Sequence, residues 1–391
     1  MGVTAIQPQD TQPLKQGRLL YIDNLRIVLT ALVILHHLAI QYGAPGITYY
    51  VEEGPMSDIS FILMTLLLAI NQSFFMGFFF MVSSYFSPGS FDRHGAGSYT
   101  RDRLKRLGIP LLFYILVISP LLQYVLALSR GFNGSILEFI PKMIESLPSL
   151  DVGPLWFVAA LLFFSLLYVL WRLFFRPNPS HQHSVSRAPS NVAIVLFGVA
   201  LGLVTFVVRI RFPVGWEFMV VHWQFSHFTQ YIAMFVIGLI AYQRGWFAGL
   251  TEAQGKVWRW VILLLILLFP VLFVLGGALE GNLEPFMGGI QWQSFAYSLW
   301  EQFMCMAMVV TLVVWFRKRF NNQNTLGKAL SSGAYATYVI HIAVIVLLAL
   351  ALRGIRMDMA LKFVLVAPVA VALSFLVGYL IKKLPIARNI L

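Results

Sequence analysis

The chain has 391 residues, of which 59% are hydrophobic and only 11% charged, where an ordinary soluble domain is about a quarter charged. Such a composition excludes a water-soluble globule and points to a polytopic membrane protein. The single cysteine, Cys305, excludes a disulfide framework and a multi-thiolate metal site, and the net charge of +12 sits in short clusters between apolar runs, which suits an anionic lipid leaflet and not a nucleic acid.

Residues 1–20 hold Pro13, Lys15 and Arg18 without an apolar core. They read as a cytoplasmic segment and not as a cleavable signal peptide. The first span, 23–42, lies in the run YIDNLRIVLTALVILHHLAIQY, which carries Asp23, Arg26, His36 and His37. Ionisable groups inside a span are expensive and point to function. On a helix Arg26 and His37 share a face within roughly 20° and stand about 16 Å apart along the axis. A histidine can give and take a proton near neutrality, as activation of a hydroxyl requires; the other role open to His37 is a bond to a neighbouring helix. His36, about 100° round the helix, reads as a packing residue.

A second span, 60–86, ends at Ser87-Pro88-Gly89, and the densest basic cluster follows: Arg93, Arg101, Arg103, Lys105 and Arg106. Arg103 and Arg106 fall on one helix face, and paired guanidiniums bind phosphate oxygens bidentately. The same charges would also enforce topology and touch lipid head groups. No glycine-rich phosphate loop appears, so nucleotide readings lack support. After the span 108–128, residues 131–150 place Ile136, Ile140, Met143 and Leu147 on one face, which predicts a helix lying along the outer interface unless Pro141 breaks it. The span 154–175 leads into a polar stretch at 180–190, expected to be a mobile loop in which His181 and His183 are solvated.

Further spans are expected at 192–209, 225–243, 257–278, 294–316, 335–352 and 360–381. The eighth carries Glu301, deep in the helix, able to orient a histidine, grip a substrate hydroxyl or pair with an arginine. The expected fold is therefore all-α, a bundle of about ten spans, because open sheets cannot satisfy their backbone in lipid. Residues 21–384 form the transmembrane domain and 385–391 a short tail. With the N-terminus in the cytoplasm, 21 of the 28 basic residues face that side. The positive-inside rule then puts both termini there. The outer segments gather acids and the aromatics Tyr42, Tyr49, Tyr50, Trp216, Trp223, Trp292 and Trp300, a mix that stacks on sugars or forms an interfacial belt.

Several of these features occur together in one known family. Asp23-Asn24-Leu25-Arg26 with His37 after ten further residues, Arg103-Leu104-Lys105-Arg106, FFFMVSSY at 78–85, Leu155-Trp156-Phe157, and Tyr338 with His341 resemble the type 3 membrane acyltransferase family. Ser83-Ser84 departs from the Ser-Gly common there. The resemblance implies transfer of an acyl group, usually acetyl from cytosolic acetyl-CoA, to a hydroxyl of an extracytoplasmic glycan or other envelope molecule. It implies His37 as general base with Arg26 beside it, Arg103, Arg106, Arg101 and Lys105 on coenzyme A, and Trp156, Tyr338 and His341 on the substrate. It also implies a bacterial cytoplasmic membrane. Glu301 joins the catalytic set on physical grounds, and no metal is expected. Polysaccharide, lipid-linked sugar and small molecule all stay open as acceptors. A proton-coupled transporter or flippase using His36, His37 and Glu301 is the competing reading, and a non-catalytic partner of an envelope-polysaccharide machine is the third.

Overall fold

The computed structural model describes residues 19–146, 151–175, 187–218, 221–278 and 282–391. The expectations for residues 1–18, for His181 and His183 in the 180–190 loop, and for 147–150 lie outside the described residues. Among the described residues ten helices are long and apolar enough to cross a membrane: α1 Leu20–Gln41, α2 Asp58–Tyr85, α3 Ser87–Ser129, α4 Gly153–Phe175, α5 Asn191–Arg211, α6 Phe225–Arg244, α7 Glu252–Leu275, α8 Trp292–Arg319, α9 Thr325–Leu352 and α10 Met359–Lys383. The described residues form no strand. This is the all-α, ten-span bundle expected from the sequence.

Several of these helices start before their apolar runs because polar residues cap them. Ser57 and Ser190 accept from the backbone N–H groups of Ser60 and Ala193 at 3.2 Å each. Asn324 accepts from Gly327 N at 2.8 Å, and Thr251 with Gln254 makes a capping box at the start of α7. The helix expected to lie along the outer interface forms as Ile136–Ser146 and runs through Pro141.

The largest departure from the expected spans is α3. It begins at Ser87, some twenty residues before the apolar run, and turns at Gly95, whose φ of 74° suits a residue without Cβ. Wide π turns at Leu104–Gly108 and Tyr114–Ile118 then precede the prolines 110 and 120. Pro110 has no N–H for the carbonyl of Arg106 four residues back. That carbonyl accepts from the Tyr335 hydroxyl of α9 at 2.8 Å.

Helices approach closely where small residues meet. A Cβ on Gly238 of α6 would lie 2.0 Å from Ser84 Oγ and 2.3 Å from the carbonyl oxygen of Met81, and one on Gly378 of α10 would lie 2.6 Å from Thr337 N. The close contact that a glycine at position 84 would have given α2 is thus supplied by Gly238 from the opposite helix. Buried amides tie the bundle further: Asn71 Nδ2 donates to Leu32 O at 3.1 Å, and Gln230 Nε2 donates to Ser73 O at 2.8 Å. At the start of α1, Asn24 Nδ2 donates to the carbonyls of Phe320 and Asn322 at 2.7 and 2.9 Å, clamping the turn between α8 and α9.

Some residues assigned to the outer surface are instead interior. Arg209 and Lys362, two of the seven basic residues that the positive-inside reading leaves on the outer side, are buried, as are Tyr42 and Trp300 among the outer aromatics. Lys362 ion-pairs with Glu52, also buried, and donates to Leu352 O and Ile355 O at 2.8 and 2.9 Å. The physical reason is helix geometry: α9 ends at Leu352 with orphan carbonyls and a partial negative charge, and an ammonium satisfies both. Trp300 spends its indole N–H on Leu265 O at 2.8 Å, joining α8 to α7.

The orientation expected from the basic residues is checked with single cysteines in a Cys305→Ser background. A cysteine replacing the exposed Glu53 is expected to react with a membrane-impermeant maleimide on intact cells, and one replacing Arg187 only after permeabilisation. The opposite pattern would invert the bundle.

Candidate functional site

The first polar element of the site is the seam between α1 and α9. His37 of α1 meets His341 of α9 with ring centroids 5.2 Å apart. One turn further along both helices, Gln41 Nε2 donates to Ile345 O at 3.1 Å, so the two helices run parallel and in register here. His341 is fully buried, and its Nδ1 lies 2.6 Å from the carbonyl oxygen of Tyr338. A carbonyl only accepts, so in the neutral ring Nδ1 carries the proton and Nε2 presents a lone pair. That Nε2 and the buried Nδ1 of His37 have no protein partner. His36 turns away and stacks on Phe75 of α2 at 5.0 Å, as its position round the helix predicts.

Beside the seam lies a cavity of about 530 Å³. Its rim carries Arg26, Arg93, His94, Arg103 and Arg106, and its walls include Phe79, Phe157, Tyr335 and Tyr338. Local structure explains the assembly. The turn at Gly95 brings Arg93 and His94 to the same opening as Arg103 and Arg106. Arg103 donates to Ser87 Oγ at 3.0 Å and lies over the Tyr99 ring, which limits its swing. Arg26, from α1, lies 3.3 Å from Asp23 and is 40% exposed toward the opening. At the inner end Phe79, Phe157 and Tyr338 pack with centroids 5.7 to 6.4 Å apart. Tyr338 stands 5.7 Å from His341. A basic mouth, an aromatic throat and the histidine pair therefore follow one another into the bundle.

Tyr338 is also a partition. Its hydroxyl donates to the carbonyl of Pro154, at the start of α4. On that side Asp151 accepts from Tyr49 at 2.6 Å, Ser119 at 2.5 Å, Gln123 at 3.1 Å and Gly153 N at 3.1 Å, and Tyr114 donates to Tyr49 at 3.1 Å. Burial first, and then the charge of Asp151, push the Tyr49 hydroxyl pKa above its ordinary value, so it remains a donor.

Glu301 belongs to a different cluster, between α5, α6 and α8. Its carboxylate lies 2.5 Å from Arg209 Nη2 and 3.0 Å from His227 Nδ1, with Gln302 Nε2 at 3.3 Å. Arg209 also donates to Ser298 Oγ at 3.2 Å. All three ionisable side chains are buried. Glu301 thus pairs with an arginine and orients a histidine, the histidine being His227 and not His37.

The structure sets Arg26, Arg103, Arg106 and Tyr338 round one cavity, and places His341 next to Tyr338 and His37 next to His341 without either histidine lining it. It does not bring Arg101 and Lys105 to the cavity; both are exposed. Trp156 stacks on Tyr231 at 5.4 Å, and its neighbour Phe157 lines the cavity in its place. Sequence reasoning missed Phe79, Tyr335, Arg209 and His227. Arg209 and His227 lie within one turn of the ends of apolar runs, where a charge is ordinarily read as solvated, and the aromatics read as core.

A family model described as an acyltransferase domain matches residues 19–382. Among curated proteins, the glucans biosynthesis protein C of Escherichia coli strain SMS-3-5 is 26% identical over 238 residues, 59% of this chain and 60% of that protein. The proteins of the same name from strains K12 / DH10B and O1:K1 / APEC match at the same identity and coverage. The match thus spans about three fifths of each relative's length. No solved structure matches the chain.

The Glu301 cluster yields a stability prediction. Glu301→Ala leaves the Arg209 guanidinium buried without its carboxylate and is expected to cost about 3–5 kcal/mol, measured by unfolding in mixed micelles. Pairing Glu301→Leu with Arg209→Met removes both charges and is expected to recover most of that loss. An Ala variant of wild-type stability but without turnover would instead put Glu301 in the chemistry.

Proposed function

The chain belongs to the acyltransferase family whose model spans residues 19–382, and from that premise we infer that it moves an acetyl group from acetyl-CoA to a hydroxyl of a glycan on the far side of the bacterial inner membrane. The observation that carries this reading is the arginine-rimmed cavity ending on Tyr338, whose helix sets His341 against His37. The name of the relatives directs the acceptor toward a glucan.

Arg26, Arg93, Arg103 and Arg106 suit the pyrophosphate and 3′-phosphate of coenzyme A, because planar guanidiniums take phosphate oxygens in pairs. The aromatic throat suits the pantetheine arm and excludes water from the thioester. The acceptor hydroxyl arrives from the Asp151 side of Tyr338. His37 accepts its proton as the oxygen attacks the thioester carbonyl carbon. The carbon–sulfur bond then breaks, and the proton passes to the departing thiolate, so the products are the ester and free coenzyme A. His341, its Nδ1–H spent on Tyr338 O, presents Nε2 to the same space and orients or shares that proton. Arg26, about 16 Å from His37 along the same face, holds the other end of the donor. Acetyl then crosses the bilayer while coenzyme A stays on its own side.

Arg103→Ala and Arg106→Ala are each expected to weaken acetyl-CoA binding by about 1.5–3 kcal/mol, roughly tenfold to a hundredfold or slightly more, in calorimetric titrations of the purified protein. Arg101→Ala and Lys105→Ala, outside the cavity, are expected to change it less than twofold. Unchanged affinity in the first pair would assign the cluster to topology alone.

His37→Ala is expected to lower acetyl transfer by about a hundredfold to ten-thousandfold with near-normal acetyl-CoA binding, whereas His36→Ala keeps most of the rate. An inactive His36 variant beside an active His37 variant would overturn the assignment.

A further inference from the structure

We propose that the groove at the opposite end of the bundle from the arginine-rimmed cavity is the acceptor site, and that the acceptor it takes is an anionic glycan, a sugar chain bearing carboxylate or phosphate groups. The proposal rests on the acyltransferase reading and narrows it.

The groove, about 520 Å³, is lined by Tyr49, Gln123, Arg130, Phe132, Phe139 and Lys142 among others. It forms where α3 ends and the interfacial helix Ile136–Ser146 folds back over it. Lys142 Nζ lies 5.1 Å over the Phe132 ring, and Arg353 donates to Ser129 O at 3.3 Å, which stands a third cation beside Arg130. Two acids near the groove are otherwise engaged. Glu138 accepts from Ser135 N at 2.9 Å to cap the interfacial helix, and Asp151 is saturated by the four donors described above. Among the described residues no carboxylate pairs with Arg130, Lys142 or Arg353. Aromatic rings beside cations form a surface complementary to a sugar ring that carries a negative substituent: the ring faces cover its C–H face while guanidinium and ammonium take the anion.

Position supplies the second argument. Tyr49 forms one wall of the groove and donates to Asp151; Asp151 accepts from Gly153 N, and the adjoining Pro154 carbonyl accepts from Tyr338. The groove therefore abuts the partition whose other face closes the arginine-rimmed cavity. A glycan seated there has its hydroxyls against the layer behind which His37 and His341 stand. A lipid head group has the same anionic chemistry but no use for a site joined to this partition.

The test uses the full chain in phosphatidylcholine nanodiscs, with direct binding of a neutral glucan oligosaccharide and of the same oligosaccharide oxidised to its uronic acid. The uronate form is expected to bind at least tenfold more tightly. The double variant Arg130→Gln, Lys142→Gln is expected to remove that advantage while leaving the neutral form and acetyl-CoA within twofold. Equal binding of the two oligosaccharides by the wild type, or an equal loss of both in the variant, would overturn the proposal. So would a variant that loses only phosphatidylglycerol, retained from mixed nanodiscs, which would assign the groove to a lipid head group. A charge-dependent binding difference without acetyl transfer to the bound uronate would refute the acyltransferase reading while upholding the groove as a site for anionic glycans.

Discussion

Gln41 on α1 donates to Ile345 O on α9, and one turn earlier on both helices His37 meets His341. This parallel seam sets the register on which the rest of the site depends, since a slip of one residue would rotate His37 about 100° away from its partner. The same helix α9 carries Tyr338 to the end of the cavity and Tyr335 to the unpaired carbonyl of Arg106. Arginine-lined mouth, aromatic throat and histidine pair are thus referenced to one helix. Asn24 holds the start of that frame by clamping the α8–α9 turn.

An apolar surrounding decides what happens to the remaining charges. Without water, a buried charge keeps its ionised form only if neighbouring groups replace its hydration shell. Arg209 finds Glu301 and Ser298, Glu301 adds His227, and Lys362 finds Glu52 with two helix-end carbonyls. The first cluster joins three helices, and the second ties the loop after α1 to the α9–α10 turn. Breaking one is costlier than never having built it, because the partner left behind has nowhere to go. These clusters act as pins that hold helices whose apolar faces would otherwise slide, since lipid competes on equal terms with a neighbouring helix for apolar contact.

Between the pins the bundle holds two concavities meeting at one layer. On one side four arginines surround an aromatic throat; on the other, Tyr49, two phenylalanines and two cations line a groove. The layer itself is Tyr338 with Pro154 and the Asp151 network. For transfer of a small acyl group across a membrane this is an economical arrangement. Under the proposed function the donor and acceptor are large and polar, and neither needs to cross, provided the reacting carbon and oxygen meet at the partition.

The ten spans and the Arg103 and Arg106 pair were legible in the chain, because apolar length, helical periodicity and the spacing of charges are local properties that survive folding. Caps such as Ser57 and Asn324 moved the starts outward, by two residues for α2 and by ten for α9. Which charges face water was not legible. Arg209, Lys362 and Glu52 look solvated one residue at a time, and only the crossing of distant helices shows each its partner. The same is true of Glu301, whose histidine is His227, and of Phe157, which takes the wall position that the sequence pattern suggested for Trp156. Sequence determined what each helix could offer; the tertiary structure decided which offers meet, because burial and pairing depend on neighbours up to three hundred residues away.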